Sequence, residues 1–133
     1  MRQRTLYRPV GLFEWRLIQG AECRAFPPRL PDQPIFYPVL NEAYAAEIAK
    51  DWNTVDPLSG FVGLVTAFEI DEMYASKFQV HTVGGRQHAE LWVSAAELDI
   101  FNRHILSPIR VTQAFYGEQF KGERLNLEGV LHE

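Results

Sequence analysis

Cysteine is nearly absent: Cys23 stands alone, so no intramolecular disulfide can staple the chain and its stability must come from a packed core. Basic clusters are also missing. Only Arg2 and Arg4 lie close together, and the net charge of -4 argues against an electrostatic footprint for bulk nucleic acid. No apolar run reaches the roughly 18 residues of a membrane-spanning helix, and the first four residues carry none of the apolar stretch of a secretory signal. These gaps lead us to expect a soluble, cytoplasmic protein that engages no membrane. Glycine is sparse where nucleotide loops need it, since Gly84 and Gly85 lack the spacing of a dinucleotide fingerprint. Neither internal repeats nor low-complexity tracts occur.

What is present is apolar and aromatic. The 133 residues are 47% hydrophobic and 13% aromatic, the size and content of one ordinary folded domain. Residues 5–10 read as a strand, and 11–18 as a short helix closed by Gly20. Four prolines between Ala25 and Pro34 forbid helix and central strand alike, leaving an ordered or mobile loop. A short strand at 35–39 is confined by Pro38 to an edge or an end. Asn41 then caps a helix over 42–52 whose buried face is expected at Tyr44, Ile48 and Trp52. The most apolar run, 61–70, reads as a central strand covered on both faces. Residues 77–83 alternate, with Phe78, Val80 and Thr82 facing one way, and the Gly84 and Gly85 pair predicts an antiparallel return into 88–93. Ser94 with Glu97 has the form of a capping box for a helix over 94–104, and 109–116 forms the last strand. About six strands and three short helices, helices early and strands late, give an α+β fold rather than a βαβ repeat. A single domain should occupy 1–117. Residues 118–133 read as a tail, or as an arm docked on a partner, a second copy of the chain included.

The residue that stands out is Glu90. Alternation along 88–93 sets it opposite Ala89, Leu91 and Val93, so its carboxylate should line a cleft rather than join the core. As a plain strand residue it would pair with His88 or Arg110. A metal reading would use His81, His88 and Glu90, whose spacing is not diagnostic. Cys23 has no sequence-marked histidine partner and reads as a small buried thiol.

The order of elements adds a family to this reading. Leu6, Tyr7 and Arg8 with Gly11 and Leu12, then residues 35–38, Tyr44 and Ala45 with Ile48 and Ala49, then residues 90–93 with Leu98 and 109–111, together resemble the small bacterial proteins of the ADP-ribosyltransferase-like fold. The resemblance spans residues 5–116 and rests on order and spacing. It implies two small, mostly antiparallel sheets around a cleft that binds NAD as substrate. Arg8 matches the first-strand basic residue that contacts NAD phosphate or ribose, Tyr37 the second-strand aromatic near nicotinamide, and Glu90 the late-strand catalytic glutamate. His88 takes the position two before the glutamate that helps choose the acceptor, where several transferases carry Gln or Glu. Tyr7 and Tyr44 are further candidate cleft aromatics, and Arg29 on the proline-rich loop a second phosphate contact. The set Arg, Tyr, Glu mixes the His, Tyr, Glu and Arg, Ser, Glu branches of the fold. The implied activity is ADP-ribose transfer to an unknown acceptor, protein or nucleic acid, or NAD hydrolysis. The alternative is a non-catalytic module that retains the fold and binds a nucleotide or a protein.

Overall fold

A computed structural model describes residues 2–85 and 88–125. The longest strand sets the architecture. In β3 (Val62–Asp71) the residues from Val62 to Phe68 are all buried, so both faces of this strand are covered, as its unbroken apolar run requires. β1 (Gln3–Val10) and β7 (Arg110–Tyr116) flank it, both antiparallel, with a register shift at Val65 and Thr66 on the β7 side. The outer edge of β1 is continued by a single residue. Tyr7 and Val39 exchange both backbone hydrogen bonds, at 3.0 and 2.7 Å, and Val39 also bridges to Glu90. Glu90 thus reaches β1 through a one-residue step, in β5 (Ala89–Leu91), whose partner is β4 (Val80–Thr82). A separate ribbon pairs β2 (Ile35–Phe36) with β6 (Val93–Ser94). The expected strand over 88–93 is therefore two strands broken at Trp92, because its halves pair with different partners.

Among the described residues there are four α-helices: α1 (Leu12–Gly20), α2 (Glu42–Asp51), α3 (Glu72–Ala75) and α4 (Leu98–Arg103). The mixed α+β class with small antiparallel sheets agrees with the sequence reading. Several details do not. The buried residues of α2 are Ala45 and Ala49, while Trp52 is 70% exposed. The reason is backbone proximity: a Cβ at Gly63 would lie 2.1 Å from the Ala49 carbonyl oxygen, so α2 packs so close to β3 that only alanines fit between them. The larger Tyr44 and Ile48 are left half-buried beside that contact. Ser94 does not cap α4, since it is paired with Ile35 in β6; the helix starts at Leu98, and the Glu97 carboxylate accepts the Tyr74 hydroxyl at 2.6 Å instead. Val80 and Thr82 are exposed, because β4 is the last strand on its side and nothing described covers that face.

The main core joins Leu6, Val10, Trp15, Phe36, Phe68, Leu91 and Phe101, among others, and a smaller cluster of Val39, Ala45, Ala49 and Val65 lies under α2. The proline-rich loop is ordered. The Asn102 side chain accepts from the Phe26 N–H at 2.9 Å and donates to its carbonyl at 3.0 Å, and the Phe26 ring packs on Phe36 and Phe68. Beyond β7 the chain turns back on Tyr116, whose ring meets Phe120 and whose hydroxyl accepts from the Leu125 N–H at 3.0 Å. The rest of the expected tail, 126–133, lies outside the described residues. No helix among the described residues is long and apolar enough to cross a membrane.

Candidate functional site

The Glu90 side chain lies beside a cavity of about 450 Å³ whose walls include Arg8, Tyr37, Val39, Tyr44, Asn53 and Trp92. Glu90 is only 9% exposed, more enclosed than a cleft residue need be. Burying a carboxylate is costly unless its oxygens are hydrogen-bonded, and both are. The Tyr44 hydroxyl donates to Oε2 at 3.0 Å and the Trp92 indole N–H donates to Oε1 at 2.7 Å. Both donors are neutral. Among the described residues no Lys, Arg or His nitrogen lies within 4.0 Å of Glu90; the partners that a solvated strand glutamate would have used are taken, His88 by Glu47 and Arg110 by Glu69.

Each donor is itself held in place. The Asn41 side chain caps α2 by accepting from the Tyr44 N–H at 2.7 Å, which fixes the helix turn that carries the phenol. The Tyr44 ring stacks on His88 at 4.5 Å. Burial, reinforced by the bond to the Glu90 carboxylate, pushes the Tyr44 hydroxyl up to about 12, so it remains a donor. The Trp92 indole is stacked by His81 at 3.8 Å and met edge-on by Tyr37 at 6.2 Å. Glu90 and Trp92 are two residues apart, and strand alternation alone could have placed Trp92 beside the glutamate.

Of the residues singled out in the sequence, Arg8, Tyr37, Tyr44 and Glu90 share this cavity. Tyr37 is 40% exposed at its rim. Tyr7 does not line it; its backbone carries Val39, and its ring packs against the small cluster under α2. The His88 imidazole is tied to the Val83 carbonyl at 3.0 Å and to Glu47 at 2.9 Å, and is not among the cavity-lining residues. No group of three His, Cys, Asp or Glu side chains able to hold a metal ion occurs among the described residues. Burial pushes the Cys23 thiol up, the opposite of what a nucleophile needs.

Arg8 is 8% exposed and heavily engaged. Its Nε and Nη2 donate to the two oxygens of Glu14 at 2.7 and 2.9 Å, its Nη1 donates to the Tyr37 carbonyl at 3.4 Å, and its guanidinium lies 4.6 Å from the Phe36 ring centre. Glu14, six residues along in the first turn of α1, carried no sequence signal for this pairing. Arg8 and Asn53 also line a second cavity, of about 400 Å³, under the proline-rich loop, where Arg29 and Glu14 form part of the wall. Arg29 is placed there and not beside Glu90. No family model, curated protein or solved structure matches the chain, so the functional reading rests on the geometry of the two neighbouring cavities.

Proposed function

We propose that the chain is an ADP-ribosyltransferase-like protein that binds NAD in the Glu90 cavity and cleaves the bond between nicotinamide and ribose. The observation that carries this reading is a nearly buried carboxylate with both oxygens fixed by neutral donors and, among the described residues, no cation within 4.0 Å of it. A carboxylate fixed in a poorly solvated place acts strongly on positive charge that forms nearby. Cleavage of the glycosidic bond sends its electron pair to nicotinamide, which leaves neutral, while the ribose ring becomes oxocarbenium-like. An acceptor oxygen or nitrogen, or water, then bonds to the anomeric carbon and gives up a proton. Glu90 beside the ribose stabilises that cation, and the Tyr37 and Trp92 rings offer flat walls for the planar base.

Glu90→Gln tests the proposal because it keeps the shape and removes the charge. NAD turnover should fall by about 100- to 1000-fold, while ADP-ribose affinity changes by no more than about threefold. Undiminished turnover of NAD would reject the catalytic role. A second reading, a non-catalytic nucleotide- or protein-binding module, draws on the commitment of Arg8 to Glu14, which leaves little of that guanidinium for phosphate. The absence of a thermal shift at millimolar NAD would favour a protein-binding module.

A further inference from the structure

The second cavity is lined by two guanidiniums, Arg8 and Arg29, and two carboxylates, Glu14 and Asp56. Arg29 donates from Nε to the Gln33 carbonyl at 3.2 Å, and no carboxylate among the described residues lies within 4.0 Å of it. It is half-buried. Burial and the positive charge of Arg8 both push its pKa down, with Glu14 opposing them in part, so the two guanidiniums and Glu14 act on each other. Asp56 is held by the Leu58 N–H and the Ser59 hydroxyl, at 3.0 and 2.9 Å, which leaves Arg29 without an ion-pair partner among the described residues. The Glu14 carboxylate is already bound bidentately to Arg8, and the other N–H groups of Arg29 have no protein acceptor among the described residues.

We propose that the cavity under the proline-rich loop seats the diphosphate of the nucleotide on Arg29, and that Glu14 is an internal competitor that withholds Arg8 from it. This rests on the nucleotide reading of the Glu90 cavity. The two cavities share Arg8, Pro9 and Asn53, so a ligand with its ribose at Glu90 continues past Arg8 to reach Arg29. The loop is built to hold Arg29 still. Pro27, Pro28 and Pro31 fix their own φ angles and Asn102 clamps Phe26, so little chain entropy is lost when an anion is bound. A guanidinium in a half-buried site meets phosphate oxygens with strong, charge-assisted hydrogen bonds. Glu14 acts in the opposite sense. Its charge repels an incoming phosphate, and it occupies the edge of Arg8 that a second bidentate contact would use. The site therefore sets a ceiling on its own affinity for anions, and Glu14 is a specificity-determining residue rather than a ligand.

Calorimetric titrations of the full chain with inorganic pyrophosphate, ADP-ribose and nicotinamide riboside test this. Glu14→Gln should tighten pyrophosphate and ADP-ribose by about tenfold, and Arg29→Gln should weaken both by about tenfold or more. Nicotinamide riboside, which has no phosphate, should be unaffected by either change. Pyrophosphate binding that is unchanged or weaker in Glu14→Gln overturns the competitor role, and binding that is indifferent to Arg29→Gln overturns the seat. Should Glu14→Gln fail to fold, the Arg29→Gln comparison, with partial recovery in Arg29→Lys, decides the matter. A chain that binds nicotinamide riboside but neither phosphate probe loses the seat and keeps the Glu90 reading. One that binds pyrophosphate through Arg29 but no nucleoside keeps the seat and loses that reading. Failure of the wild type and of Glu14→Gln to bind any of the three overturns both.

Discussion

Tyr44→Phe isolates the hydroxyl that holds Glu90. The substitution leaves the ring, its stacking on His88 and the helix cap at Asn41 in place, and removes only the donor 3.0 Å from Oε2. A hydrogen bond to a charged group contributes about 1.5–3 kcal/mol. Glu90 borders an open cavity, so water can replace part of the loss, and we expect the low end, about 1.5 kcal/mol. In a domain of this size that is a fall of about 5 °C in melting temperature. A double-mutant cycle with Glu90→Ala separates the bond from everything else the phenol does. In that background the hydroxyl has lost its acceptor, and Tyr44→Phe should cost no more than about 0.3 kcal/mol. Urea unfolding of the four proteins, followed by tryptophan fluorescence, measures the coupling. Equal losses in the two backgrounds would refute the reasoning, because the hydroxyl would then be working somewhere other than on Glu90.

Two further predictions concern the scaffold. Gly63→Ala should cost about 3 kcal/mol, because its Cβ would meet the Ala49 carbonyl and push α2 off β3; Gly20→Ala, with nothing near its Cβ, should be neutral or slightly stabilising by the same denaturation assay. Stability should also fall at both ends of the pH scale. The Arg110 guanidinium holds Glu69 below its ordinary value of 4.5, so that contribution is present above pH 4.5 and is lost as pH drops through the lowered pKa; Arg110→Gln should flatten this acid limb. Tyr44 has its pKa raised, so the native state favours the neutral phenol and stability is lost as pH rises from about 10 to about 12, a limb that Tyr44→Phe should reduce.

Much of the local structure was legible in the residue order. The unbroken apolar run of β3, the Asn41 cap, the β4–β5 return through Gly84 and Gly85, and the proline-rich loop each follow from backbone rules that act over a few residues. The reading failed where a distant partner chose between local options. Periodicity pointed to Tyr44, Ile48 and Trp52 as the inner face of α2, but Gly63 lets the helix approach so closely that the alanines take that place. Ser94 had the form of a cap, yet pairing with Ile35 drew it into a strand.

The same division runs through the candidate site. The sequence by itself determined that Glu90 stands apart from its apolar neighbour Leu91 on β5, because alternation is a property of extended backbone and needs no partner. It also determined that Arg8 belongs to the first strand, whereas Tyr37, expected on the second, falls just beyond β2. Only the tertiary structure decided that Tyr44 and Trp92 hold the carboxylate, that Arg8 is bound by Glu14, and that Arg29 has no ion-pair partner among the described residues. Hydrogen bonds and ion pairs are set by distance and angle between groups as far apart in the chain as Tyr44 and Glu90, and no short-range rule carries that geometry.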